Sequence, residues 1–109
     1  MIEFFVITCD EYVHLMEDYA KFFNKYWNDN IFVTILGYVS PQGKLPNNFA
    51  FYSLGDQNNF GNYWTNALIP YFDKVKTEFV CILLDDLFFI RPTEIRKLFD
   101  VFDEAKVRK

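Results

Sequence analysis

The polar and apolar positions of the chain sort into short, nearly unbroken apolar runs alternating with segments of three- and four-residue periodicity. Glu3–Thr8 (Glu-Phe-Phe-Val-Ile-Thr) is the first apolar run and predicts a strand covered on both faces. Tyr12, Leu15, Met16, Tyr19, Phe22, Phe23 and Tyr26 then recur at helical spacing, predicting an amphipathic helix from about Glu11 to Trp27 with Asp10 as its N-cap. Asn28-Asp29-Asn30 ends it, and Ile31–Leu36 reads as a second buried strand. A helical crossover makes these two strands parallel, with a right-handed connection.

Gly37–Asn48 carries two Gly, two Pro and two Asn and reads as loop, with no helical period. Phe49–Ser53 is a third strand, followed by the polar loop Leu54–Asn62. Trp64, Ala67, Leu68, Tyr71, Phe72 and Val75 mark a helix over about Tyr63–Val75, in which Pro70 confines regular hydrogen bonding to the second half. Phe79–Leu84 is a fourth strand that runs into Asp85-Asp86. Thr93 can cap a last helix with the stripe Ile95, Leu98, Phe99, Phe102 and Ala105. This alternation predicts one α/β domain over residues 1–109, a doubly wound, mostly parallel sheet of about four strands with helices on both faces. Ligands of such sheets bind at the carboxyl ends of the strands, where Thr8-Cys9-Asp10, Ser53-Leu54-Gly55-Asp56 and Asp85-Asp86 should converge.

Composition narrows the function classes. At 109 residues there is room for one small domain, and a 51% hydrophobic content excludes a disordered tail. No apolar run approaches the roughly 20 residues of a membrane span. Met1-Ile2-Glu3 opens on an acid where a signal peptide needs a basic segment. A net charge of −4 argues against nucleic-acid binding, which needs a concentrated basic face. Cys9 and Cys81 lack metal-ligand spacing and read as buried free thiols in a reducing cytoplasm.

Among candidate functional residues, Asp85-Asp86 stands out. Carboxylates beside so much hydrocarbon are costly unless paired, hydrogen-bonded or on a metal. One reading gives them Mg²⁺ or Mn²⁺ bridged to a diphosphate; the other makes one a turn cap and leaves the other in water. Asp10 is either the helix N-cap or an acceptor for a base or ribose. Thr8 is either a β-branched strand residue or a nucleotide contact. Asp56 and Gln57 fit a solvated turn as well as a rim site, and Trp64 fits core packing as well as a stacking platform. His14, the single histidine, has no nucleophile or metal partner in the pattern. No Gly-x-Gly-x-x-Gly, Walker loop or nucleophile elbow is present.

The stretch Phe51-Tyr52-Ser53-Leu54-Gly55-Asp56, then Tyr63-Trp64-Thr65-Asn66-Ala67-Leu68, then Phe79 through Leu84 with Asp85-Asp86-Leu87-Phe88-Phe89-Ile90, resembles the nucleotide-sugar half of a GT-A-type glycosyltransferase. With the first β-α-β unit, the resemblance covers nearly the whole chain and implies a Rossmann-like sheet. It implies that Asp86 and Asp85 take the last two places of the Asp-x-Asp-type motif that holds a divalent cation, Mn²⁺ or Mg²⁺, against the donor's diphosphate. Leu84 stands at the first place of that motif. The resemblance further implies that Thr8, Cys9 and Asp10 contact base and ribose, with Ser53 and Asp56 at the rim of the third strand. Such enzymes run to roughly twice this length, the second half supplying the acceptor site and the usual base. The expectation is therefore a fragment of a longer enzyme or a protein keeping the donor half alone.

Two functions follow as expectations. The first is a glycosyltransferase-like domain binding a nucleotide-diphosphate sugar through a divalent metal. The second is a non-catalytic module of the same fold that self-associates, as a homodimer for example, or docks a partner through a sheet edge and surplus aromatics. A phosphoacceptor receiver domain of similar length is set aside, because its acidic pair would follow the first strand rather than the fourth.

Overall fold

The computed structural model describes residues 2–60, 64–88, 100, 103 and 104. Its sheet comprises β1 (Ile2–Ile7), β2 (Val33–Gly37), β3 (Phe49–Ser53) and β4 (Phe79–Leu84), all parallel, in the order β3-β2-β1-β4. The chain builds outward from β1 to β2 and β3, then returns to place β4 on the other flank of β1. Strand order therefore reverses between β1 and β4, and ligands of doubly wound sheets as a class bind beside such a reversal.

Alternation along β1 sends successive side chains to opposite faces, so Phe4 and Val6 share one face while Phe5 and Ile7 share the other. The first face packs on α1 (Met16–Tyr26), whose Met16, Tyr19, Ala20 and Phe23 are buried with Phe4, Val6, Val33, Ile35 and Phe49. Edge-on ring contacts knit this layer: Phe23 to Phe49 at 5.4 Å and Phe4 to Trp27 at 5.6 Å. Full burial of each such side chain contributes about 1.5–3 kcal/mol, and this face holds the larger buried cluster among the described residues. The second face packs on α2 (Leu68–Phe72), where Leu68, Tyr71 and Phe72 meet Phe5 and Leu36.

Several elements differ from the sequence reading. The predicted first helix begins as a turn over residues 10–12 and a 3-10 turn over Val13–Leu15, becoming α-helical only at Met16. Asp10 is not its N-cap: Leu15 occupies that place with no side-chain cap, and the Asp10 amide donates to Gln57 instead, at 2.8 Å. β2 starts at Val33 rather than Ile31 and extends to Gly37, which pairs with Ser53. The predicted second helix is a 3-10 segment, Trp64–Ala67, that changes to α-helix at Leu68. Pro70 then falls in the first α-helical turn, where its missing N–H has no partner to lose. Cys9 and Cys81 are free thiols, half-buried rather than buried.

The loop from β2 to β3 lies against α1 by side-chain bonds. Asn24 and Asn48 exchange reciprocal amide bonds at 3.0 and 2.8 Å, and Glu17 accepts from the Lys44 amide at 3.1 Å. The predicted cap Thr93 and stripe Ile95–Ala105 lie outside the described residues, whereas Asp100, Asp103 and Glu104 are helical and exposed. Among the described residues, no helix is long and apolar enough to cross a membrane.

Candidate functional site at the carboxyl ends of the strands

β1 ends at Ile7 and β4 at Leu84, and these two residues are register partners. The next residue of each strand, Thr8 and Asp85, therefore stands beside the other at the carboxyl rim of the sheet, where the two strands would flank a bound ligand. Thr8 is 4% exposed, and its hydroxyl donates to Asp85 Oδ2 at 2.9 Å, joining positions 77 apart in sequence. The Thr8 amide also donates to the Leu36 carbonyl at 2.9 Å, so the backbone bearing that hydroxyl is fixed by the neighbouring strand. Burial pushes the Asp85 carboxyl above the ordinary aspartate value; the Thr8 bond works against that, and the neighbouring Asp86 charge adds to it. Asp86 is exposed. The adjacent carboxylates thus have different surroundings, one anchored at the crevice and one open to solvent.

Gly37 explains how Thr8 fits. A Cβ on Gly37 would lie 2.8 Å from Thr8 Cγ2 and 3.3 Å from Phe51 Cε1, both under normal contact distance. The end of β2 can pass so close to Thr8 only because residue 37 has no side chain.

The remaining candidates gather on the other side of β1. Ser53 donates its hydroxyl to the Tyr38 carbonyl at 2.8 Å and accepts from the Gly55 amide at 3.2 Å, so it shapes the turn after β3. Asp56 accepts from the Asn58 amide at 2.9 Å and caps the 3-10 turn Gln57–Asn59. That turn reaches back to β1 through the Gln57–Asp10 bond. β3 and β4 lie three strand spacings apart, about 14 Å, so Ser53 and Asp56 do not join Asp85 in one cluster. Thr8 with Asp85, and Asp10 with Gln57, are the pairings that form across the rim.

Tyr38, which the sequence pattern did not single out, closes this second group. It is buried, its ring lies 6.0 Å from that of Phe60, and its hydroxyl is pushed up by burial, then by the charges of Asp10 and Cys9. Its position directly after the glycine ending β2 was the available signal.

Among the described residues, no group of three or more His, Cys, Asp or Glu could hold a metal by itself. The acidic pair nevertheless fits a Mg²⁺-type site, because that ion takes one or two carboxylates and fills its shell with phosphate oxygens and water. Asp85 is desolvated beside a second acid, and the ion pair found among the described residues, Lys21–Glu17, lies elsewhere. No family model, curated protein or solved structure matches the chain.

Proposed function

We propose that the chain is a glycosyltransferase-like domain that binds a nucleotide-diphosphate sugar in the crevice between β1 and β4. The observation that supports this most is the Thr8–Asp85 hydrogen bond at the reversal of strand order, where doubly wound sheets bind their ligands. Asp85, held by Thr8, orients the acidic pair, and the exposed Asp86 reaches the ligand. A divalent cation, Mn²⁺ or Mg²⁺, bound by Asp86 and Asp85 would neutralise charge on the diphosphate. Asp10 and Cys9 follow Thr8 along the same rim, within reach of a nucleoside, while Ser53 and Asp56 support the far edge through Tyr38 and Gln57. The two free thiols suit a reducing, cytoplasmic setting.

Calorimetric titration of the full chain with UDP-glucose and GDP-mannose, each with and without Mn²⁺, tests the reading. The expected result is binding that requires the metal and is abolished in Asp86→Ala, an exposed position whose substitution leaves the fold intact. Absence of binding to either nucleotide sugar in the presence of Mn²⁺ rejects it.

A second reading has one observation in its favour. Ile82 and Leu84 on the edge strand β4 are 48% and 52% exposed, and Leu87 beyond it is 62% exposed. A row of apolar side chains on a sheet edge favours self-association. Light scattering that finds a dimer in the wild-type chain and a monomer in Ile82→Lys would support it.

A further inference from the structure

Among the described residues, the face of the sheet that packs on α2 is incompletely covered at the amino ends of the strands, leaving an open cavity of about 400 Å³. Its floor is Glu3 and Phe5 of β1 beside Thr34 of β2, Phe5 and Thr34 being register partners. Ile31 and Phe32 form one side, and Tyr71 of α2 forms the other. Glu3 lies five residues before Thr8 on the same extended segment, roughly 16 Å away at strand rise, so this cavity is separate from the Asp85 crevice.

Three features define what it would accept. The volume falls within the range of small-molecule sites. Its accessible rings are Phe32, which is 59% exposed, and Tyr71, which meets the buried Phe5 edge-on with ring centroids 5.7 Å apart. Against this apolar surface stands one carboxylate, Glu3, to which nothing among the described residues donates a hydrogen bond or an ion pair. The Tyr71 hydroxyl is pushed up first by burial and next by the charge of Glu3, which places that charge at the cavity wall. Ring faces attract cations through their quadrupole, and a carboxylate fixes the position of the charge.

We propose that this cavity binds a small organic ammonium ion, its charged group at Glu3 and its hydrocarbon body against Phe32 and Tyr71. Thr34 and Tyr71 supply hydroxyls that accept from the remaining N–H groups. A neutral molecule of the same shape gains the apolar contact but not the charge interaction, and an anion is repelled.

The test is titration of the ¹⁵N-labelled full chain with phenethylamine at neutral pH, where it is an ammonium ion, and with the neutral 2-phenylethanol. Saturable shifts at the amides of Glu3, Phe5 and Thr34 are expected with the amine, with the alcohol about tenfold weaker. Glu3→Gln, an exposed substitution, should weaken the amine about tenfold while leaving the alcohol unchanged, and Phe32→Ala should weaken both. Equal affinity for the two probes, no saturable shift with the amine, or an unaffected Glu3→Gln overturns the proposal. Nucleotide-sugar binding is reported by different amides, Thr8 and Asp85, so the two readings fail independently.

Discussion

Replacing Thr8 with Val changes one hydroxyl for a methyl in a position that is 4% exposed, so shape is kept and the donor to Asp85 is lost. A hydrogen bond to an ionised group contributes about 1.5–3 kcal/mol when fully buried. Asp85 is half-buried, and water that reaches its carboxylate compensates part of the loss. The expected cost is therefore about 1 kcal/mol, or roughly 4–8 °C in Tm for a domain of this size. The decisive comparison is a double-mutant cycle with Asp85→Asn, read by urea unfolding at pH 7. Asp85→Asn alone should be close to neutral, because it removes a charge whose burial is costly while keeping an acceptor for Thr8. In that background Thr8→Val loses only a neutral hydrogen bond, and its penalty should fall by about half. A Thr8→Val protein as stable as wild type, or an equal penalty in both backgrounds, would show that the bond does not organise the crevice.

Gly37→Ala should be destabilising by about 1–3 kcal/mol, since its Cβ would press on Thr8 Cγ2 at 2.8 Å. Adding Thr8→Ser, which deletes Cγ2 and keeps the hydroxyl, should recover most of that loss in the same urea assay; no recovery would mean that Phe51 is the obstacle instead. Alkaline pH should also weaken the fold. Burial pushes the Tyr19, Tyr38 and Tyr71 hydroxyls and the Cys81 thiol upward, so the native state keeps protons that the unfolded chain releases. Their contribution is complete below the ordinary thiol value, about 8.5, begins to fall as pH passes that value and the ordinary tyrosine value, about 10, and goes on falling up to the raised native values. Urea midpoints at pH 7.5 and 10.5 should therefore differ, the higher pH giving the lower midpoint, and equal midpoints would contradict the burial of these groups.

The sheet was legible in the sequence where strands are apolar runs closed by turn residues. β3 and β4 occupy the predicted spans because Asn47-Asn48 and Leu54-Gly55 bracket one, while Glu78 and Asp85 bracket the other. β2 is displaced because apolar character does not by itself make ladder bonds: the Val33 amide is the first of that strand to pair, with the Asn48 carbonyl at 2.8 Å. The first helix shows a related limit. Spacing from Tyr12 onward reports which face is buried, but it does not distinguish α from 3-10 hydrogen bonding. Asp10 stands in the turn before that segment, its amide bonded to Gln57, 47 residues away, and no local pattern encodes that contact.

The same division governs the site. Thr8 and Asp85 could be brought to one rim in advance because each directly follows an apolar strand, and parallel neighbours deliver their next residues to one rim. Tyr38 and Gln57 depend on the path of loops, where side-chain bonds rather than periodicity determine position. The structure also separates two carboxylates that the sequence presents as equivalents. Asp85 is desolvated and held by Thr8, so its substitution alters the local geometry of that rim even where it leaves stability nearly unchanged. Asp86 is exposed, so its removal tests the proposed binding with little effect on stability. The cost of desolvating Asp85 is offset if a cation and an anionic ligand complete its surroundings, and this is the physical ground for placing ligand binding there.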